Sequence, residues 1–354
     1  MAPPIRVLIV DDSAFSRAAL RDALEQVSGI VVVGEAVNGV QAIEMAKTLQ
    51  PSLITMDLEM PVMGGLQAID TIMRSKAVPI LVVSDVAHAE NAMEALALGA
   101  LEVIQKPDYG NLQSGQFVHR VRLLAGVSVV TRMRVRVEPG VAVQSQAAAP
   151  CAAMPLAAHN PTFFKGPVFA IASSTGGTQA LATILAALPA DFAGSVLIAQ
   201  HISDGFSVGL AEWLGQLCPL PVRVPAHGEG VQMGVVLIAP SEYHMSVKPD
   251  GTVDLAAAKP GDVYHPNCDV LLESVARVFG ARSVGIILTG MGHDGAAGMG
   301  RILRAGGVTI AQDEASSIIY GMNRVAVEHG HIQHLLPLND LSSAMQRLTT
   351  ERVC

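Results

Sequence analysis

The length and composition of the chain limit the classes of protein to which it can belong. At 354 residues, of which 50% are hydrophobic, the chain is long enough for two domains with separate cores. Its apolar runs stay under about ten residues, well short of the roughly 20 that a membrane-spanning helix needs, and no secretory leader precedes the first of them, so we expect a cytoplasmic protein. The net charge of −8 argues against a nucleic-acid-binding surface. The four cysteines have no C-x-x-C spacing and predict neither a disulfide framework nor a zinc knuckle.

Apolar runs alternate with helical patterns over residues 4–125. The predicted strands are IRVLIV, IVVVGEAV, PSLITM, VPILVV and LEVIQ. Between them, segments such as SRAALRDALEQV and AIEMAKTL carry apolar residues three and four positions apart, as a helix with one buried face does. The alternation predicts an α/β domain with a doubly wound parallel sheet and helices on both faces.

The pattern changes twice along the rest of the chain. Residues 126–165 are rich in Ala, Pro, Gln and Ser without a hydrophobic period, which predicts a flexible linker. Residues 166–350 alternate again, with VFAIA, SVLIAQ, VVLIAP, VGIILT and GVTIAQ as predicted strands. A second doubly wound α/β domain is therefore expected.

Polar side chains follow four predicted strands of the first domain. They are Asp11 and Asp12, Asp57, Ser84 and Lys106. Because the carboxyl ends of parallel strands meet at one edge of a sheet, these groups are expected to lie together. Three carboxylates there would need a cation such as Mg²⁺, and an ammonium and a hydroxyl beside them can hold a tetrahedral anion. The alternative interpretation is that the aspartates are only helix caps and turn residues.

The motifs VDDS, MDLEMPVMGG, VVS and QKP extend this interpretation. Through them the segment from Ile5 to Leu124 resembles a two-component receiver domain, which has a flavodoxin-like fold. The resemblance implies that Asp57 accepts a phosphoryl group from a phosphohistidine kinase of the chemotaxis type. It also implies a Mg²⁺ site and a pair of phosphate-sensing residues: Asp11, Asp12, Asp57 and the Glu59 carbonyl for the ion, and Ser84 and Lys106 for the phosphate.

Two further features follow from the resemblance to receivers. The bond between Lys106 and Pro107 is expected to be cis, as in that family. Val103 stands where many receivers carry an aromatic side chain, which argues against a switch based on a rotating ring.

The segment TGMGHDG in the second domain contains the spacing G-x-G-x-x-G. With Asp313 about twenty residues further on, this spacing is typical of dinucleotide-binding loops. Asp294, however, would place a carboxylate inside the loop, where it would repel a pyrophosphate. A nucleotide-binding oxidoreductase is therefore the less favoured interpretation.

A serine, a histidine and an aspartate follow predicted strands of the second domain. Ser173 and Ser174 follow VFAIA, His201 follows SVLIAQ, and Asp294 lies just beyond VGIILT. A serine hydroxyl needs an imidazole to remove its proton, and a carboxylate to orient that imidazole. The helix that opens near Thr178 directs its amino end at the serines and can stabilise an oxyanion. If this loop is considered by itself, the alternative interpretation is an ordinary turn in which the glycines permit the tight backbone conformation.

The second domain also carries a long, ordered set of motifs. With SSTGGTQAL, QHISDGF, LIAPSEYH, HPNCDVLLESVA and LTGMGHDGAAG, the whole chain resembles the chemotaxis receptor methylesterases, in which a receiver is fused to a Rossmann-like protein-glutamate methylesterase domain. The resemblance implies that Ser174 is the nucleophile, that His201 is the base and that Asp294 orients it. It implies an oxyanion site formed by two loops, with Thr175, Gly176, Gly177, Met291 and Gly292.

The resemblance also defines a reaction and its partners. It implies hydrolysis of glutamyl methyl esters on methyl-accepting receptor proteins with release of methanol, deamidation of specific glutamines, and no cofactor for the esterase. It implies contact with membranes only through receptors and no nucleic acid. The unphosphorylated receiver is expected to cover the esterase site. The rival function is a phosphorylation-controlled signalling protein that binds receptors and has little esterase activity.

Two segments depart from the family pattern. Ser173 stands where a smaller residue is usual, and its hydroxyl could compete for His201. YHPNCD replaces a segment that more often carries Arg-Pro-Ser, which affects the expected substrate preference.

Overall fold

The computed structural model describes residues 3–84, 89–106, 115–127, 129, 166–259, 261–262 and 264–351. Residues 130–165 of the predicted linker lie outside the described residues, and so does Pro107 with the predicted cis bond. Within the described ranges, no helix combines the length and apolarity needed to cross a membrane.

The first domain is built on a five-stranded sheet with the order β2-β1-β3-β4-β5. Every pairing in it is parallel. Its strands are β1 (Ile5–Val10), β2 (Ile30–Ala36), β3 (Leu53–Met56), β4 (Ile80–Ser84) and β5 (Glu102–Gln105). Its helices are α1 (Ala14–Glu25), α2 (Gly39–Leu49), α3 (Gly65–Ser75), α4 (Ala89–Ala97) and α5 (Gln116–Leu124). This is the doubly wound order with a switch point between β1 and β3.

The apolar runs of this domain form strands because the sheet is covered on both faces. Along β1, Leu8 and Val10 belong to one buried cluster. Val7 and Ile9 belong to the cluster on the opposite face. Successive side chains of a strand alternate between faces, so a continuous apolar run fills both cores.

The second domain is built on a seven-stranded sheet with the order β14-β13-β12-β6-β7-β9-β8. All of its pairings are parallel. Its strands are β6 (Val168–Ser173), β7 (Ser195–Gln200), β8 (Val222–Arg223), β9 (Val236–Ile238), β12 (Ser283–Ile287), β13 (Val308–Gln312) and β14 (His334–Leu336). Its helices are α6 (Gly177–Ala186), α7 (Ser207–Leu217), α8 (Cys268–Phe279), α9 (Ala296–Arg304), α10 (Met322–Glu328) and α11 (Leu338–Glu351).

Three neighbouring strands at the centre of this sheet position the predicted catalytic residues. β6 lies between β12 and β7. Ser174 follows β6, His201 follows β7, and Asp294 lies in the loop between β12 and α9. Because β6 is where the chain turns from one half of the sheet to the other, the crevice at its carboxyl end is the expected ligand site of a doubly wound fold.

The predicted fold class, two doubly wound parallel-sheet domains, is confirmed. The structure adds elements that the sequence pattern did not reveal. β8 and β14 are edge strands of two and three residues. An antiparallel pair, β10 (Tyr243–Val247) and β11 (Val253–Ala257), forms a separate small sheet. These segments are short and partly exposed, so they carry no apolar run long enough to indicate a strand.

Candidate active site

The two serines at the end of β6 have different surroundings. Ser173 is the last residue of the strand, is fully buried, and donates its hydroxyl to Gln200 Oε1 at 2.6 Å. Ser174 is partly exposed at the crevice. The side-chain amide of Gln200 also donates to the carbonyls of Ser174 and His201, at 2.9 and 2.8 Å. The expected competition of Ser173 for His201 therefore does not occur in this structure, because Gln200 engages the Ser173 hydroxyl.

The imidazole of His201 pairs with the carboxylate of Asp294. His201 Nε2 lies 2.7 Å from Asp294 Oδ2. With Nε2 turned to the carboxylate, Nδ1 is the nitrogen that remains for a serine hydroxyl. Among the described residues no hydrogen bond joins Ser174 Oγ to His201 in this conformation, so a rotation of the serine side chain or of the ring has to complete the set.

The start of α8 stabilises the Asp294 carboxylate. Asp294 Oδ2 accepts from the backbone amide of Cys268 at 2.7 Å, and Oδ1 accepts from that of Asp269 at 3.0 Å. Asn267 caps this helix by accepting from Val270 N, so the first amides point toward the crevice. Burial alone would raise the pKa of Asp294, but the hydrogen bond from His201 and these amides lower it below its usual value. Asp294 is thus held ionised in a buried position.

The glycines after the serines permit a close approach of backbone and side chains. A Cβ on Gly177 would lie 2.2 Å from Gln200 Oε1 and 2.7 Å from Ser173 Cβ. Gly176 has φ +78°, and a Cβ there would meet Ile318 at 2.8 Å. The Gly177 amide already donates to Ser174 O at 2.7 Å. In this conformation that amide is bonded to Ser174 O, and the role of Gly177 at the oxyanion site stays a prediction.

A carboxylate cluster lies at the carboxyl edge of the first sheet. Asp11 and Asp57 are buried, Asp12 is exposed, and one oxygen of each lies within 4.8 Å of the others. Lys106 Nζ contacts Asp57 Oδ2 at 2.7 Å and Asp11 Oδ2 at 3.1 Å. Burial raises the pKa of Asp57, against the opposing effect of Lys106. Burial would lower the pKa of Lys106, but the hydrogen bond and charge of Asp57 raise it above its ordinary value.

The surroundings of this cluster fit a bound cation and a phosphoryl group. Carboxylate oxygens are the ligands that Mg²⁺ prefers. Ser84 Oγ and Thr55 Oγ1 are buried and have no hydrogen-bond partner among the described residues, an arrangement that costs free energy unless a ligand or water satisfies them. The side chain of Glu59 accepts from Asn91 Nδ2 in α4 at 2.9 Å, while the role of its carbonyl stays a prediction. Val103 is buried, so β5 presents no ring at this position.

Comparison with known proteins gives the family of the chain. Residues 169–345 match the family model of the CheB methylesterase, and residues 7–114 match that of the response regulator receiver domain. The chain is 49% identical over 98% of its length to the protein-glutamate methylesterase/protein-glutamine glutaminase 3 of Paramagnetospirillum magneticum, of which it covers 96%. The chain belongs to the CheB methylesterase family.

Two further relatives agree with this assignment. A protein-glutamate methylesterase/protein-glutamine glutaminase 2 from Anaeromyxobacter dehalogenans is 40% identical over 98% of the chain and 97% of that protein. The crystal structure of the Thermotoga maritima CheB methylesterase catalytic domain is 32% identical, with a TM-score of 0.50, and covers 52% of this chain and 98% of that one. In this member of the CheB family, the first domain is the receiver and the second is the catalytic domain.

The receiver packs over the catalytic loop of this CheB-family chain. Thr175 Oγ1, next to Ser174, donates to Glu102 Oε2 of β5 at 2.8 Å. Gln179 Nε2 in α6 donates to Ala100 O of the receiver at 2.7 Å. A small cavity between the domains is lined by residues of both, among them Leu96, Leu101, Glu102 and Val103 of the receiver and Ser174 and His201 of the catalytic domain. The receiver therefore packs against the loop that carries Ser174, while Ser174 itself stays partly exposed.

A second receiver contact reaches the other catalytic loop. His119 Nε2 in α5 lies 3.1 Å from Met291 Sδ. Ile318 and Ile319 of the catalytic domain pack against the receiver's buried cluster. The two loops predicted to form the oxyanion site are thus both in contact with the receiver.

Sequence reasoning missed Tyr264 as part of the site. Its ring stacks on the imidazole of His201, with 5.0 Å between centroids and 12° between planes, and meets His293 edge-on at 5.8 Å. Its hydroxyl lies so close to Gly292 that a Cβ added to this glycine would be 2.4 Å from the hydroxyl oxygen. Burial and the charge of Asp294 raise the pKa of Tyr264. The departure of YHPNCD from the usual family segment was the only signal in the sequence.

Proposed function

We propose that this protein hydrolyses glutamyl methyl esters on methyl-accepting receptor proteins and releases methanol, with Ser174 as nucleophile. The observation that carries the proposal is the set of three side chains at adjacent strand ends. It combines a partly exposed Ser174, the pair of His201 and Asp294 at 2.7 Å, and a buried carboxylate held ionised by His201 and by two helix amides. The family membership of the chain supports the same reaction.

Each residue of the set has one task in this reaction. Ser174 Oγ forms a bond to the ester carbonyl carbon while His201 Nδ1 takes the hydroxyl proton. The bond to the methoxy oxygen then breaks, and that oxygen leaves as methanol with the proton from His201. Water attacks the acyl group in the same manner and restores Ser174 and a free glutamate. Asp294 keeps the proton on Nε2 and stabilises the charged imidazolium.

The same acyl chemistry extends to glutamine side chains. Attack by Ser174 on a glutamine amide gives the identical acyl-serine, and ammonia leaves in place of methanol. The names of the curated relatives, which pair methylesterase with glutaminase, support this extension.

The receiver is proposed to control access to this site. Asp57 would take a phosphoryl group from the phosphohistidine kinase of a chemotaxis-type pathway. Mg²⁺, held by Asp11, Asp12, Asp57 and the Glu59 carbonyl, would neutralise the charge that develops on the transferred group. Lys106 and Ser84 would bind its oxygens, because Lys106 is an ammonium in contact with Asp57 and Ser84 is a buried hydroxyl without a partner in the part of the chain that the structure describes.

Strand β5 connects the two sites in this proposal. Lys106 directly follows the strand, and Glu102 at its first position holds Thr175 beside the nucleophile. Phosphorylation converts the Asp57 carboxylate into an acyl phosphate, whose phosphoryl oxygens take over the contact with Lys106 and draw in Ser84, which shifts the carboxyl ends of β4 and β5. The hydrogen bond between Glu102 and Thr175 then weakens, and the receiver opens the crevice.

The full chain should release methanol from methylated receptor, and a small phosphodonor with Mg²⁺ should raise the rate at least about tenfold. The Asp57→Asn variant should keep the low rate in both conditions, because it has no carboxylate to phosphorylate. Methanol release is measured with and without the phosphodonor. No release from the phosphorylated full chain would favour the rival function, a receptor-binding signalling protein, and equal activation of Asp57→Asn would contradict the proposed control.

Replacement of Glu102 by alanine should raise the methanol release of the unphosphorylated chain about tenfold. The reason is that loss of a hydrogen bond worth about 1.4 kcal/mol raises the small fraction of molecules with an open crevice by that factor. Arg120 offers the matched control, since it pairs with Glu102 Oε1 within the receiver, whereas Thr175 donates to Glu102 Oε2 and has no hydrogen bond to Arg120 among the described residues. Arg120→Ala should therefore leave the rate much closer to that of the parent. Equal activation by both changes would mean that the receiver fold, rather than the contact with Thr175, restrains the site.

A further inference from the structure

A thiol lies against the imidazole and carboxylate of the site. Cys268, the first residue of α8, is fully buried, and its Sγ lies 3.4 Å from His201 Nε2 and 3.4 Å from the carbonyl of Ala199. One ligand atom of each of Cys268, His201 and Asp294 lies within 4.8 Å of the other two. The esterase reaction uses the imidazole and the carboxylate and leaves the thiol without a task.

We propose that His201, Cys268 and Asp294 form a binding site for Zn²⁺ or a similarly soft divalent cation, and that occupancy of this site stops the esterase. Imidazole nitrogen, thiolate sulfur and carboxylate oxygen are the three ligand types that Zn²⁺ takes from proteins. The site differs in kind from the receiver's cluster of oxygens, which suits Mg²⁺.

The distances fit a tetrahedral ion after a small movement. With bonds of about 2.0–2.1 Å to nitrogen and oxygen and about 2.3 Å to sulfur, tetrahedral ligand atoms lie about 3.3–3.6 Å apart. The distance of 3.4 Å between His201 Nε2 and Cys268 Sγ is already in this range. The contact of Nε2 with Asp294 Oδ2, now 2.7 Å, has to open by about 0.6 Å. A water supplies the fourth ligand.

The charges and protons of the site balance on binding. The thiol gives one proton to solvent, and the imidazole keeps its single proton but carries it on Nδ1 in place of Nε2. The ion then meets one thiolate and one carboxylate, so the site as a whole is neutral. Neutrality matters because an unbalanced charge is costly where Cys268 and Asp294 are almost completely buried. The side chain of His201 is 12% exposed, which gives the ion a route along the ring.

Occupancy removes both features of His201 that the reaction needs. An ion on Nε2 replaces the hydrogen bond to Asp294 that orients the ring. The proton on Nδ1 removes the acceptor for the Ser174 hydroxyl, so the serine is no longer activated. The amides of Cys268 and Asp269 keep the carboxylate anchored while the ion binds. Inhibition therefore needs no change in the fold.

Two measurements on the full chain test the site. In the first, Cd²⁺ replaces Zn²⁺ as a probe, and the ultraviolet absorption of metal-bound thiolate is followed during titration. The parent chain and Cys218→Ser should give a band that saturates at one ion per chain, and Cys268→Ser should lose it. Cys218 is the matched control because it is also a buried, free cysteine of the catalytic domain. Cys268→Ala serves as a second variant, with its fold checked by circular dichroism.

In the second measurement, Zn²⁺ is titrated into the methanol-release assay at constant Mg²⁺, and each variant is normalised to its own rate without Zn²⁺. We expect the parent and Cys218→Ser to lose at least nine-tenths of their rate, with recovery on adding a chelator, and Cys268→Ser to need at least tenfold more Zn²⁺. The inhibition rests on the proposed esterase function, but the absorption band does not, so an inactive protein would still reveal the site. Absence of the band in the parent, its retention in Cys268→Ser, or equal Zn²⁺ sensitivity of the two would overturn the proposal.

Discussion

Replacement of Ser174 by alanine is expected to lower methanol release from methylated receptor by at least about a thousandfold, because removal of the nucleophile of a serine hydrolase leaves only the contribution of the remaining site. Ser174 is the partly exposed serine of the crevice, whereas the hydroxyl of Ser173 is bonded to Gln200. The rate is measured on the phosphorylated full chain, so that the receiver does not mask the effect.

Ser173→Ala is the matched control for this change. The hydroxyl of Ser173 is fully buried and donates to Gln200 Oε1, so its removal leaves that oxygen without this donor. The expected cost is about 1–3 kcal/mol in the free energy of unfolding, with most of the methanol release retained. The reverse pattern, an active Ser174→Ala and an inactive Ser173→Ala, would move the nucleophile by one position.

Replacement of Asp294 by asparagine is expected to lower methanol release by about a thousandfold to ten-thousandfold with little change in fold. The two helix amides bond to different oxygens of Asp294, so the single asparagine oxygen, at the Oδ1 position, still accepts from Asp269 while the amide of Cys268 loses its acceptor. The NH₂ group of the asparagine then faces His201 Nε2 and forces the proton of the ring onto Nδ1. In that tautomer the imidazole cannot take a proton from Ser174, so the base is lost while the geometry is kept.

Asp269→Asn provides the matched control for the charge. Asp269 is the neighbouring carboxylate at the start of α8, and it accepts from Gly298 N at 2.6 Å without contacting His201. This variant should keep its rate within about tenfold, because an amide oxygen can replace the acceptor. Methanol release and the melting temperature are compared for both variants. Equal losses in the two would indicate that general negative charge, rather than the orientation of His201, is what the reaction needs.

The residues of both sites were recognisable in the sequence for a definite physical reason. In a parallel sheet every strand runs in the same direction, so a polar residue that follows a buried apolar run is placed at the common carboxyl edge. Asp57 and Lys106 in the receiver, and Ser174, His201 and Asp294 in the catalytic domain, follow such runs. The pattern therefore predicted which residues gather before any contact was known.

The chain by itself determined two parallel α/β domains and the polar residues at their strand ends, because these follow from local hydrophobic runs and from motifs. Only the tertiary structure decided which of the two adjacent serines is accessible, since Gln200, from the next strand, binds the hydroxyl of Ser173. It also decided that Glu102 holds Thr175 and that the Cys268 thiol lies against His201, because both contacts join residues 67 or more positions apart. Such contacts depend on how strands and domains pack, and no local pattern of residues predicts that packing.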